Sequence, residues 1–216
     1  MFAAASLADA VHEIAPPISG AEVRVVTGAT SLLAKQIQQG APADVFLAAH
    51  PTWIRHLDAA GRLRSPVVPL ATGELVIVRR PGRSRQPRVA TAAEAFQGAE
   101  RIAIADPSHV PAGLYARTAL GDGWKDVEAR VVPTGDVRAA LVAVERGAAD
   151  AAVVYASDVS ASDALEVVYR FPPDPEIRYE GVVVGDHPDA AEWLRDLASP
   201  ARASRWRALG FGPPAP

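Results

Sequence analysis

The sequence has no cysteine, a single methionine and no long apolar run. The missing cysteines exclude disulfides, thiolate metal sites and a cysteine nucleophile together. They leave the redox compartment open, because a chain without thiols folds equally in an oxidising or a reducing space. No apolar stretch approaches the ~20 residues that a membrane helix needs. The opening segment "MFAAASLADAVHEIA" lacks the basic start and continuous apolar core of a secretory signal. The chain therefore reads either as cytosolic or as the mature or trimmed form of an exported protein. Basic charge is not in surplus either. The formal net charge is −3, whereas a protein built to wrap nucleic acid carries a basic excess. The one basic cluster, from Arg79 to Arg88, is interspersed with Pro, Gly and Ser and reads as a solvated loop. Nucleic acid is not expected as a partner.

Signatures of catalysis are also missing. There is no G-x-S-x-G, no P-loop lysine and no dinucleotide glycine fingerprint. The five histidines are scattered; only His50 and His56 are close, and an i, i+6 spacing puts them on different faces of a helix, which argues against a metal pair. His109 can serve as a base, but no nucleophile motif accompanies it. Asp44, Asp106 and Asp158 stand beside apolar runs, where isolated aspartates serve as turn or cap residues. The four tryptophans, Trp53, Trp124, Trp193 and Trp206, lie in helical contexts and read as core or surface-groove fillers. No enzyme is expected.

What is present is a globular α/β pattern. The 216 residues, 49% hydrophobic and 22% charged, suit one large domain or two small lobes. The recurring unit is a short β-branched run, a turn of small residues, then a helical period. In "EVRVVTGATSLLAKQIQQG", Val23, Val25 and Val26 read as a buried strand. Leu33, Ala34 and Ile37 then recur at helical spacing, with Gly40 as the stop. "RIAIADPSHVPAGLYARTAL" repeats the unit, its helix facing inward through Leu114, Tyr115, Ala119 and Leu120. "ARVVPTGDVRAALVAVERG" repeats it again and stops at Gly147. "AAVVYASD", "ELVIVRRPG" and "EGVVVGD" add strands, and the chain ends in two helical pieces around Pro200. Strands alternating with helices imply parallel sheets covered on both faces. Only "MFAA" is available for the first strand.

Four strand-to-helix turns share one polarity. They place Ser6, Thr30 with Ser31, Ala112 with Gly113, and Asp136 with Val137 at helix starts. Each start offers unpaired N–H groups and the positive end of a helix dipole. In open α/β sheets, ligands bind beyond the carboxyl ends of the strands, and such starts suit an anion. Taken singly, Ser6, Thr30 and Ser31 are most simply N-caps, and Tyr155 is most simply a core aromatic. Asp136 would repel an anion, so it is assigned to capping and the ligand is left to the Val137 amide.

Five segments in register identify a family: "FAAASL", "LLAKQIQQGAPADVFLAA", "ADPSHVPAGLYARTAL", "GDVRAALVAVERG" and "VVYASD". Together the chain resembles the periplasmic molybdate-binding proteins of bacterial ABC uptake systems, from Phe2 to about Phe211. The resemblance implies a two-lobed, Venus-flytrap fold of the type II periplasmic binding-protein class. Each lobe would be a mostly parallel sheet flanked by helices, with the ligand in the cleft between lobes. Lobe 1 would hold residues 1–73 and 178–216, and lobe 2 residues 74–177. The hinge would lie near Gly73-Glu74 and Arg178-Tyr179. It further implies that the oxyanion, molybdate or tungstate, is held by the hydroxyls of Ser6 and Thr30, with Ser31 as the fallback donor. The amides of Ala112 and Val137 and the phenol of Tyr155 complete the set. Thr30 is a departure, standing where the resemblance leads one to expect serine. Molybdenum would enter only inside the oxyanion, with no direct protein–metal bond and no resident cofactor. The implied partners are the oxyanion and a membrane-embedded ABC permease, for a monomeric protein that is periplasmic or otherwise extracytoplasmic. The alternatives are the same fold tuned to another oxyanion such as sulfate, or a cytosolic oxyanion sensor. A sensor would want a DNA-binding helical segment, for which this chain has no room.

Overall fold

The structure, a computed structural model, describes residues 1–18, 22–82, 89–160, 162 and 164–215. Residues 83–88, most of the expected basic loop, lie outside that set. In chain order the elements are β1 (Phe2–Ala4), α1 (Ala8–Ile14), β2 (Val26–Gly28), α2 (Thr30–Gln38), β3 (Val45–Ala48), α3 (Pro51–Ala59) and β4 (Val68–Gly73). There follow β5 (Leu75–Arg79), α4 (Ala92–Ala95), β6 (Ile102–Ala105), α5 (Pro111–Leu120), α6 (Trp124–Val127), β7 (Val131–Thr134), α7 (Val137–Glu145), β8 (Ala151–Tyr155), α8 (Ala156–Val159) and β9 (Glu166–Arg170). The chain ends with β10 (Ile177–Val183), α9 (Ala190–Leu197) and α10 (Ala203–Ala208).

Two compact units emerge. One is Met1–Thr72 with Arg178–Pro216; the other is Gly73–Ile177. Each holds one five-stranded sheet, ordered β2-β1-β3-β10-β4 in the first and β7-β6-β8-β5-β9 in the second. The two orders are the same plan. Three parallel strands come from successive βα units, and the next strand joins antiparallel: β10 against β3, and β5 against β8. The sheets are therefore mixed. The parallel part is where βα units wind, and the antiparallel part is where the chain enters or leaves a unit.

The first unit's core gathers Phe2, Leu33, Ile37, Phe46, Trp53, Leu57 and Val182. The three helix positions expected to face inward, Leu33, Ala34 and Ile37, do so, and Gly40 follows α2 with φ +96°, a conformation open mainly to glycine. The tail is fastened to α1: Arg202 Nη1 donates to the Ile14 carbonyl at 2.8 Å and pairs with Asp196. Trp53, Trp124, Trp193 and Trp206 are all buried in helices. In the second unit Ile77, Ile102, Ile104, Leu141, Val144 and Val153 fill the core.

Two expectations need correction. The run Val23 to Val26 is not a buried strand. Only Val26 belongs to β2, and Val25 and Val26 are 42% and 47% exposed. β2 is a sheet edge with a single neighbour, so its β-branched residues face water instead of a second layer. In α5 the buried positions are Pro111, Ala112, Gly113, Tyr115 and Ala116, while Leu114, Ala119 and Leu120 are half-buried. The first turn of α5, not its leucines, makes the close approach to the sheet.

Candidate functional site

In the first unit the three adjacent parallel strands each end in a helical turn. Ser6 lies in the 3₁₀ turn Ala5–Leu7 that follows β1 and is buried. Thr30 and Ser31 open α2 directly after β2 and are buried as well. The two hydroxyls are not equivalent. Thr30 Oγ1 accepts the Ala49 N–H at 3.4 Å, leaving its own proton to donate. Ser31 Oγ is buried with no hydrogen-bond partner. An unsatisfied buried hydroxyl costs about 1–3 kcal/mol, here at the positive end of a nine-residue helix.

The second unit repeats the arrangement. β7, β6 and β8 lie side by side and parallel, and α7, α5 and α8 start at their carboxyl ends. Ala112 stands in the first turn of α5 and Val137 opens α7, so neither amide has an acceptor within its own helix. Asp136 caps α7, as expected: its Oδ1 accepts the Ala139 N–H at 2.8 Å. Its charge is thus spent on its own helix. Tyr155 ends β8, 1% exposed. The structure thus brings Ala112, Val137 and Tyr155 to one end of one sheet, and Ser6, Thr30 and Ser31 to the corresponding end of the other.

Gly113 explains the smallness of this helix start. A Cβ there would stand 2.0 Å from the Ala105 carbonyl oxygen and 2.7 Å from that of Asp106. The helix start is laid directly on the end of β6.

The family of bacterial extracellular solute-binding proteins matches residues 1–212. The chain belongs to this family. Molybdate-binding protein ModA of Escherichia coli (strain K12) is 33% identical over 224 residues, covering 98% of this chain and 87% of the relative. ModA of Haemophilus influenzae is 32% identical over a similar span, 98% and 88%. Among solved structures, the substrate-binding domain of a putative molybdenum ABC transporter from Clostridium difficile superimposes with a TM-score of 0.72 at 28% identity, covering 98% of this chain and 96% of that one. The periplasmic molybdate-binding protein of Azotobacter vinelandii reaches 0.80 at 22% identity, covering 97% and 96%, and shares the fold.

Other polar groups of this solute-binding protein have local roles. Asp106, Ser108 and His109 have the composition of a hydrolytic triad but lie within four consecutive residues. Asp106 Oδ1 accepts both the amide and the hydroxyl of Ser108, at 2.9 and 2.6 Å, which holds its carboxyl below the usual range. His109 Nδ1 lies 2.9 Å from Ser108 Oγ and 3.7 Å from Asp106 Oδ1, so serine and carboxylate meet the same ring nitrogen, whereas a triad sets them on opposite nitrogens of the imidazole. Glu74 is paired with Arg170, and its carbonyl accepts the Ala156 N–H at 2.8 Å. Asp158 is more than the turn residue read from the sequence. Its buried carboxylate pairs with Arg138, which sequence reasoning passed over. The one available signal was a cation in the first turn of a helix, against the dipole. A cavity of about 280 Å³ in the first unit, lined by Met1, Arg24, Asp44, His187 and Trp193 among others, adjoins the starts of β1 and β3 and holds none of the candidate donors.

His50 yields a pH prediction. Its Nδ1 accepts the Thr52 N–H at 3.1 Å and caps α3. Burial, then Arg55, push its pKa down from 6.5 to about 4. A depressed pKa means that the folded state favours the neutral ring, whose contribution is complete above 6.5 and is lost as pH falls toward 4. Thermal melts are expected to lose stability across that window, and His50→Asn, a capping residue that does not titrate, is expected to flatten the loss.

Proposed function

We propose that this chain captures molybdate outside the cytoplasm and delivers it to a membrane-embedded ABC permease. Neutral hydrogen-bond donors hold the anion: the hydroxyls of Ser6 and Thr30 or Ser31, the amides of Ala112 and Val137, and the Tyr155 phenol. The observation that carries the reading is the buried, partnerless Ser31 hydroxyl in the first turn of α2, beside a threonine with a proton still to donate. An anion satisfies both that hydroxyl and the helix start. Kinship with the two ModA proteins over nearly the whole chain supports molybdate as that anion. Tungstate, of the same charge and shape, is bound as well. Molybdate is cargo here, and no resident cofactor takes part.

A donor-rich, uncharged site suits the chemistry. Each hydrogen bond to a charged ligand contributes about 1.5–3 kcal/mol. A fully deprotonated oxyanion accepts everywhere, so the amides, which can only donate, and the hydroxyls, which can, all serve it.

The test is calorimetric titration with molybdate, tungstate and sulfate in turn. One-to-one binding of the first two, with sulfate weaker, is expected; no binding of molybdate refutes the reading. Ser6→Ala and Tyr155→Phe are each expected to weaken molybdate binding about tenfold, the loss of roughly one charge-assisted hydrogen bond, with melting temperatures near wild type. Unchanged affinity in both variants sinks the site assignment.

A further inference from the structure

Arg138 is the second residue of α7, next to Val137. A cation there opposes the helix dipole, so the position calls for a local anion. Asp158 supplies it: its Oδ1 lies 2.8 Å from Arg138 Nε, with the carboxylate side chain wholly withdrawn from solvent and the arginine 29% exposed. The other oxygen, Oδ2, accepts the Tyr155 N–H at 3.2 Å. One buried carboxylate thus touches both the residue that carries the phenol and the helix start that carries the Val137 amide. A buried carboxylate persists only when paired, and removing one partner leaves the other as an uncompensated charge.

We propose that Asp158 and Arg138 form a charge-balancing pair beside the oxyanion site. The carboxylate cancels the guanidinium charge next to the Val137 amide, so that the dianion meets neutral donors. This inference rests on the reading of Tyr155 and Val137 as donors.

The two halves of the pair carry opposite charge, so their removal acts on a bound anion with opposite sign. Asp158→Asn keeps an oxygen for the Tyr155 amide and uncovers the Arg138 cation. Molybdate affinity is expected to rise about fivefold at low ionic strength, and the gain is expected to vanish in about 0.5 M salt, where the screening length is only a few ångström. Arg138→Gln uncovers the carboxylate, and affinity is expected to fall more than about tenfold. The double variant Arg138→Gln/Asp158→Asn is expected to return within about threefold of wild type, because both charges leave together.

Calorimetric titration of the full chain with molybdate at low and high salt reads all three variants. A pair that merely supports the fold weakens binding in both single variants and leaves the salt dependence of wild type, and that result overturns the proposal. If Arg138→Gln does not fold, Asp158→Asn decides alone: tighter, salt-sensitive binding supports the proposal, and weaker binding with unchanged salt dependence overturns it. Tyr155→Phe in the same series separates the two levels. If it binds like wild type, the donor assignment fails and this proposal with it. If it binds weakly while both charge variants lose affinity alike, the pairing alone fails.

Discussion

Replacing Gly113 by alanine is expected to destabilise the protein by about 3 kcal/mol, the upper part of the range for overpacking a close contact. The atoms in the way of the new methyl group are backbone: the Ala105 carbonyl oxygen at 2.0 Å, its carbonyl carbon at 2.8 Å, and the Asp106 oxygen at 2.7 Å. A flexible side chain would swing aside, but these atoms belong to the end of a central strand and the turn leaving it. Relief requires α5 to shift from β6, and the shift carries the Ala112 amide with it. Gly113→Ala is therefore expected to weaken molybdate binding as well as stability. Gly123 is the internal control. It has open space around its Cβ position and negative φ of −64°, so Gly123→Ala is expected to be neutral or stabilising by about 0.5 kcal/mol. Urea titrations of the two variants check this: equal midpoints would mean that α5 does not rest on the strand.

That contrast shows what was legible in the sequence. The order of βα units could be read because hydrophobic period and small-residue turns are local signals, and they delivered α2, α5 and α7 with their strands. Strand direction could not be read. "LVIV" in β5 and "GVV" at the end of β10 look like the parallel strands, because burial on both faces produces the same apolar run whichever way a strand points. Exposure at an edge was equally hidden: "VRVV" has strand composition, and only the sheet order reveals that β2 has one neighbour.

The candidate site divides along the same line. The Asp136 cap was legible because a carboxylate and an amide three residues apart form a local pattern. That small residues open α5 was also legible, but not the Ala105 carbonyl that requires one of them to be glycine. Asp158 looked like a turn residue because its partner, Arg138, lies on another element 20 residues earlier, and such pairings are set by packing. The orphaned Ser31 hydroxyl is of this kind too, since a missing partner is a property of the folded neighbourhood.

A sharper test of the anion site removes one amide hydrogen and little else. Val137 is the first residue of α7, and the preceding Asp136 is extended at φ −156°, ψ 178°. A residue before proline prefers that region, and proline is favoured at the first helical position because its missing N–H has no helical acceptor. Its ring also replaces much of the buried valine side chain. Val137→Pro is therefore expected to melt close to wild type. Molybdate affinity is expected to fall about a hundredfold: a charge-assisted hydrogen bond is lost, and the proline Cδ methylene occupies the place from which the proton pointed at the anion. Val137→Ala, which trims the side chain but keeps the amide, is expected to bind nearly as wild type while losing about 1 kcal/mol of stability. Proline and alanine variants with equal affinity would remove the α7 amide from the donor set. Loss of affinity in the proline variant alone would assign the contribution to the backbone, where selection on side chains leaves no trace in the sequence.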